Sequence, residues 1–419
     1  MITWRMWIAL TGLVLCLCTI PKLTLHAQHV LFNRTAIVDA REWDFSQRLP
    51  LKGEWMFVEN KLLDPNSPLL QKGRPLLFPS LWNDMRAGGR GTGYATYGLS
   101  VLVPGGERDW VFEIPPLNNS YNLWVNGVLV ASAGVVSDKS EDARPEWIYQ
   151  LGEYSSSADT LKVILQVANY HHYKGGATRP IYLGKREPIE AHFNWAMGSS
   201  IAESIILFLS GSCFLLYYRS CRKSVILYFA LLCMTWSIRA MFSNVYPLAW
   251  MFPAINWEWS VKVEYMTLYF TVVWAALFFH TLFDDISNAV ITYLAVGVNV
   301  FFITFTLLTP AIIYTRWITI YLAIAVLVIL YGVAMIARAL IFEKAGSWFL
   351  MGSIWTGILL FGYDITAYHL SFSYNLVLMN IGYLVMFALT TVGLLYHVGV
   401  FKTRNVQGDY LTMEDMYPS

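Results

Sequence analysis

The stretch Asn169-Tyr170-His171-His172-Tyr173-Lys174-Gly175-Gly176 packs amide, imidazole and phenol groups into eight residues. With Trp82 and Tyr94 it offers what a sugar-like ligand requires: aromatic faces for C–H surfaces and polar tips for hydroxyls. The candidate ligand residues are therefore Trp82, Tyr94, Asn169, His171, His172 and Tyr173. Each also has a purely structural reading. Trp82 fits equally as a core plug, and Asn169 as a side chain satisfying backbone groups at a strand end. His171 and His172 fit as solvated or pH-responsive groups. A second set, Glu203, Arg239, Lys262, Glu264, Asp364 and His369, interrupts long apolar runs. A charge in such a run is costly and turns toward the bundle interior. At about 1.5 Å per residue all six fall toward the same end of their helices. They form either a ligand pocket or switch, or a static ion-pair cluster that fixes helix packing. Arg239 is the expected partner of Asp364 or Glu203.

Other chemistries are poorly served. Neither HExxH, GxSxG nor a paired-acid spacing occurs, so hydrolysis has no motif and no enzymatic activity is expected. The five cysteines, Cys16, Cys18, Cys213, Cys221 and Cys233, show no metal-ligand spacing with histidine, so neither metal nor cofactor is expected. None lies in residues 28–190, so that segment depends on its own core rather than on disulfides. The net charge of +1 offers no electrostatic footprint for nucleic acid.

The elements that must position these residues divide sharply. Of 419 residues, 56% are hydrophobic and only 14% charged, with a mean hydropathy of +0.46. Residues 28–190 carry 17 Lys/Arg and 18 Asp/Glu, whereas residues 191–400 carry 8 and 7. The first segment has the composition of a soluble domain and the second that of a membrane bundle. Before both, Arg5 precedes an apolar run from Trp7 to Ile20 that ends near Leu25-His26-Ala27-Gln28. Residues 1–27 therefore read as a signal peptide cleaved after Ala27.

Residues 28–190 read as strands: Glu54–Val58, Gly93–Val103, Asp109–Ile114, Leu161–Val167 and Pro180–Leu183. Tyr121–Val130 reads as a hairpin around Asn126-Gly127, because both turn positions require φ > 0. No long helical period intervenes, so an antiparallel β sandwich, a jelly roll, is expected. Seven apolar stretches follow: 195–218, 225–243, 259–282, 289–308, 317–340, 348–369 and 375–400. Each suffices to cross about 30 Å of hydrocarbon. Trp250, Trp257, Trp259, Trp317 and Trp348 crowd their ends, as interfacial residues do. Arg219, Arg222, Lys223, Arg338, Lys344, Lys402 and Arg404 fall on one side and Arg316 alone on the other. This bias places the N-terminal domain outside and the C-terminus inside.

Ordered blocks carry a resemblance: LKGEWMFV (51–58), PSLWND (79–84), GYATYGLSV (93–101), YNLWVNGVLVASAG (121–134) and ILQVANY (164–170). They resemble the sugar-binding jelly roll that precedes the catalytic barrel in family-two glycoside hydrolases. The resemblance is closer to bacterial seven-transmembrane receptors with diverse intracellular signalling modules, in their second type of extracellular domain. It covers most of residues 35–190, and the order of signal peptide, jelly roll and seven helices agrees with it. The resemblance implies a galactose-binding-like periplasmic jelly roll (28–190) on a seven-helix transmembrane bundle (191–400) in the bacterial inner membrane. It further implies reception of a carbohydrate or similar small ligand. That family normally continues into a kinase or cyclase module, whereas only residues 401–419 follow here. A cytoplasmic signalling protein acting in trans, or truncation of a longer receptor, is the expectation. The alternative from another class is a membrane transporter or accessory subunit whose jelly roll is a docking module.

Overall fold

The structure, a computed structural model, describes residues 31–33, 36–86, 88–106, 109–369 and 375–400. The expected signal peptide (1–27) and tail (401–419) lie outside the described residues.

The strand-like half forms twelve strands among the described residues. They are β1 (Leu31–Asn33), β2 (Ile37–Asp39), β3 (Leu49–Pro50), β4 (Gly53–Glu59), β5 (Arg74–Phe78) and β6 (Gly93–Leu102). There follow β7 (Asp109–Ile114), β8 (Ser120–Val125), β9 (Val128–Ala133), β10 (Gln150–Ser155), β11 (Thr160–Asn169) and β12 (Tyr182–Gly184). One sheet runs β1-β2-β6-β11-β8-β9, with β4 joining β6 to β5; the other runs β10-β7-β12-β3. The hairpin turn is as expected, with Asn126 at φ 48° and Gly127 at φ 83°. One expectation is corrected: β2 pairs with β6 in parallel, so the domain is not wholly antiparallel. Between them the chain visits the second sheet as β3 and returns through β4 and β5, and a crossover of that kind is what a parallel pair requires. Strand β10 escaped the sequence reading because GlnLeuGlyGluTyrSer has no β-branched residue.

A single buried cluster draws on both sheets. It joins Trp55, Tyr97, Leu123 and Val163 of the larger sheet to Trp110, Phe112 and Leu183 of the smaller. This apolar layer between sheets supplies the stability that disulfides do not.

Seven long helices follow: α1 (Arg186–Cys221), α2 (Ser224–Met241), α3 (Trp257–Leu282), α4 (Ala289–Leu308), α5 (Ile318–Ile341), α6 (Ser347–His369) and α7 (Leu376–Val398). Six stretches are long and apolar enough to cross a membrane, containing α1 to α5 and α7, so the chain is a multi-pass membrane protein. The expected count of seven is corrected to six among the described residues, since α6 is not one of these stretches. Helix α1 has 36 residues and begins one residue after its N-cap Lys185. At 1.5 Å per residue it is about 54 Å long, so its first turns rise beyond a 30 Å hydrocarbon layer. The position 190/191 thus lies inside a helix, and β12 passes into the bundle with no flexible linker.

Helix α1 packs on α2 and α7, α3 on α2 and α4, and α6 on α7. One bundle core, centred on Phe229, Phe278, Leu350, Phe387 and Leu394, is apolar. Glu203, Arg239, Glu264 and Asp364 gather at the other end, beneath the sheets. Trp250, Trp259, Trp317 and Trp348 are exposed, as an interfacial belt requires.

Candidate ligand chamber between the sheets and the bundle

The β domain is seated on the bundle by aromatic contacts. Trp147 lies 4.3 Å from the Tyr246 ring and 5.8 Å from Trp257, and Tyr149 lies 5.2 Å from Phe193. The loop 169–176 joins this seat. The ring of His171 approaches Trp257 edge-on at 6.4 Å, and the Tyr173 backbone N–H donates to Thr315 Oγ1 at 3.1 Å. The expected ligand loop is therefore a docking loop.

Its other members are braces. Asn169 is buried; its Nδ2 donates to the carbonyls of Gly91 and His172, both at 2.8 Å, and its Oδ1 accepts from His172 N. His172 Nδ1 lies 3.0 Å from Lys174 N and 3.2 Å from the Lys174 carbonyl, so it is held by the backbone of its own loop. Trp82 is fully buried, and its Nε1 donates to the Tyr97 hydroxyl at 2.6 Å. The Arg86 guanidinium lies 4.2 Å from its ring. Gly175 is required beneath it, since a Cβ there would meet the indole at 2.7 Å. Tyr94 lies half-buried on β6 opposite Ala168, outside the chamber. Of the six sheet-domain candidates, none lines the chamber described next.

Burial pushes the His172 imidazole down to about 4, against an ordinary value of 6.5. Between these values the unfolded chain takes up a proton that the folded chain refuses. Stability therefore falls by up to about 3 kcal/mol as pH drops from 6.5 to 4. His172→Asn keeps an acceptor for Lys174 N–H and removes the titration. Unfolding midpoints at pH 7 and pH 5 should differ less in this variant than in the parent chain.

Between the sheet domain and the ends of α1, α2, α3, α6 and α7 that face it lies a cavity of about 640 Å³. Glu203, Arg239, Glu264 and Asp364 line it, so four members of the expected intramembrane network meet in one place. Glu203 is buried; its carboxylate accepts from Trp236 Nε1 at 2.9 Å. With the Asn380 amide oxygen accepting from Ser200 N at 3.2 Å, its nitrogen donates to Glu203 Oε2 at 3.1 Å. Arg239 donates to the Glu264 carbonyl at 2.9 Å, and Tyr246 OH to the Glu264 carboxylate at 3.3 Å. Among the described residues Arg239 has no ion pair within 4 Å to Asp364 or Glu203, its expected partners, and it donates to a backbone carbonyl.

Lys262 is outside the network. Its Nζ donates to the Leu307 carbonyl at 3.2 Å and lies 3.5 Å from Glu258. Two residues on a 3.6-residue helix are about 200° apart, so Lys262 and Glu264 cannot face the same side. His369 ends α6, and its side chain is outside the described set.

The sheet domain supplies Lys52, Lys174 and Arg179 to the chamber, with Asp84 at its side. Burial lowers the amino groups of Lys52 and Lys174 from the ordinary lysine value. Trp236, Asn380 and Tyr383 complete the aromatic and amide lining. The sequence reading missed these. The available signals were Trp236 one turn from Arg239 at i, i+3 and Asn380 within an apolar run.

Beside the chamber, Glu113 on β7 is fully buried and held by three donors. Arg48 Nη1 reaches Oε2 at 2.5 Å, His192 Nδ1 reaches Oε1 at 2.8 Å, and Tyr149 OH donates to Oε1. Burial alone would raise its carboxyl, but the hydrogen bond from His192 and the charge of Arg48 outweigh this and hold it below the usual range. His192 belongs to α1, so this cluster ties the sheet directly to the first membrane helix.

Residues 200–397 match the family model described as 7TM diverse intracellular signalling. Three solved structures are similar to part of the chain. The β-glucuronidase of Faecalibacterium prausnitzii is 16% identical over 32% of this chain and 31% of that one, with a TM-score of 0.25. The β-glucuronidase of Bacteroides uniformis is 16% identical over 33% of this chain and 17% of that one, with a TM-score of 0.26. A β-galactosidase-like protein of Bacteroides fragilis is 16% identical over 33% and 23%, with a TM-score of 0.24. The chain thus spans under a third of each of these proteins. No curated protein matches it.

Proposed function

Because residues 200–397 belong to the 7TM diverse intracellular signalling family, we propose that this membrane protein is a receptor whose ligand occupies the chamber between sheets and bundle. The ligand is a carbohydrate or similar small polar molecule, and the β domain is a galactose-binding-like jelly roll in the periplasm. One observation carries this reading: residues of both domains line a single cavity of about 640 Å³, within the usual range for small-molecule sites. A ligand there touches the sheet domain and four or more helices at once. It therefore stabilises one relative arrangement over another, which is the only way binding shifts a two-state equilibrium. The unbroken α1 and the Glu113–His192 tie provide the mechanical link.

In this reading the protein sits in the bacterial inner membrane. The β domain is outside and the helix ends that carry Arg219, Arg222, Lys223, Arg338 and Lys344 are inside, as their excess over Arg316 favours. The bundle's inner surface passes the change to a cytoplasmic signalling protein. The receptor is non-catalytic.

The test uses the full chain in lipid nanodiscs and a panel of monosaccharides, amino sugars and sugar acids. A ligand should raise the unfolding midpoint, as binding to the native state alone requires. Trp236→Ala, which removes an aromatic wall and the Glu203 donor, should fold but lose at least about tenfold in affinity, as hot-spot aromatics do. Ligand-dependent solute flux in proteoliposomes would defeat the receptor reading, as would binding insensitive to Trp236→Ala.

A further inference from the structure

A second cleft, of about 400 Å³, lies wholly within the sheet domain. Its charged lining is Arg74, Arg86, Arg90 and Glu59, with Asn60 and Thr92 beside them. The end of β4, the start of β5 and the loop after the helical turn Trp82–Met85 bring these residues together. Three arginines therefore share a concave surface with one carboxylate. Arg86 is held in place: its side chain is only 9% exposed, and its guanidinium lies 4.2 Å from the Trp82 ring. Its Nε lies 2.7 Å from Glu59 Oε1, and its Nη1 donates to the Thr92 carbonyl at 2.7 Å. Its Nη2 is buried without a hydrogen-bond partner. The charge of Glu59 is thus committed to Arg86. Among the described residues neither Arg74 nor Arg90 is in an ion pair, and both are exposed. Arg74 lies instead over the Phe57 ring, at 5.4 Å from its centroid. Burial lowers the Arg86 guanidinium from its ordinary value; Glu59 offsets part of this, and the neighbouring charge of Arg74 lowers it further. An anion in the cleft relieves that repulsion, and the planar fork of arginine matches the paired oxygens of a carboxylate or phosphate.

We infer that this cleft is a second binding site, for a small molecule bearing an oxyanion group held by Arg74 and Arg90. The site is separate from the chamber and stands without the receptor reading. Its volume admits a molecule of monosaccharide size. Its position gives it a second consequence. Asp84 lines the chamber while Met85 and Arg86 line the cleft, so the helical turn Trp82–Met85 stands between the two cavities. The Trp82 ring carries Arg86 and also covers Gly175 of the docking loop. An anion drawn onto the arginines therefore acts beside the loop that seats the sheet domain on the bundle.

The experiment measures binding to the full chain in phosphatidylcholine nanodiscs by calorimetry, in a buffer free of phosphate. The probes are inorganic phosphate, glucose 6-phosphate, gluconate and glucose, so that a phosphate source, a carboxylate source and the uncharged sugar are compared. At least one anion should bind with Kd below about 1 mM. Raising the ionic strength from about 0.05 M to about 0.5 M should weaken that binding, because the arginines are exposed to screening. The double variant Arg74→Gln, Arg90→Gln should unfold near the parent midpoint and bind the anion about 10–100-fold more weakly, the usual loss for charged hydrogen bonds. Arg74→Lys with Arg90→Lys should recover part of that loss, since it keeps the charge without the fork. Anion binding that survives the glutamine variant overturns the inference. If Trp236→Ala abolishes that surviving binding, the anion belongs to the chamber and the receptor reading stands. Binding only above about 1 mM, or glucose binding as tightly as the anions with the same loss in the glutamine variant, also overturns it.

Discussion

Glu113→Ala lowers stability by about 3–5 kcal/mol, the usual cost of removing one partner from a buried charged cluster. The carboxylate is fully buried, and its loss strands Arg48, whose side chain is only 15% exposed, together with the Tyr149 hydroxyl. The effect reaches beyond the sheet, because the third donor, His192, belongs to α1. In nanodiscs the variant should therefore show a lower unfolding midpoint and faster proteolysis near the β12–α1 junction. His192→Ala should reproduce the junction cleavage with a smaller fall in midpoint, since Arg48 and Tyr149 remain. A midpoint within about 1 kcal/mol of the parent would mean that the cluster is not a stabilising tie. The pH dependence has a definite sign. The folded carboxyl titrates below its unfolded value of 4.5, so its stabilisation is complete above that pH and fades as pH falls through the folded value. This acid lability begins only at the lower edge of the His172 window, so the two groups can be separated by measuring Glu113→Gln across both.

Trp82→Ala has a comparable expected effect, about 3–5 kcal/mol, but for a different reason. Removing a fully buried indole leaves a cavity and deprives the Tyr97 hydroxyl of its donor. The ring also carries Arg86 and covers Gly175, so loop 169–176 should loosen with it. The measurement is unfolding of the full chain followed by tryptophan fluorescence, with Tyr97→Phe as the milder companion. Trp236→Ala is the contrast: it keeps the fold and loses ligand. A stable Trp82→Ala protein with lost ligand binding would return Trp82 to the role of a stacking platform.

The comparison of these two tryptophans indicates where sequence reading succeeds. Periodicity, turn chemistry and apolar run length depend on neighbours in the chain, so they are visible in one dimension. On that basis β7, the Asn126-Gly127 hairpin, β11 and the membrane helices were all placed. Strands without β-branched residues, such as β10, escaped because their partners alone make them strands. The charges in apolar runs were recognised as a group, because depth along a helix is read from residue number. Which of them meet was not legible. Arg239 had several acids at similar depth, and its actual acceptor is a carbonyl, to which side-chain type is blind.

The residues alone determined that a soluble-type β segment precedes a lipid-adapted helical one, since the cost of burying charge in hydrocarbon sets composition directly. They also determined that polar groups cluster at one end of the helices. Only the tertiary structure decided that His171 and Tyr173 dock the domains while Asn169 and His172 brace their loop, and that Lys174, Trp236 and Asn380 face a common space. Contacts between residues far apart in the chain depend on how two folded surfaces fit, and no local pattern encodes that fit.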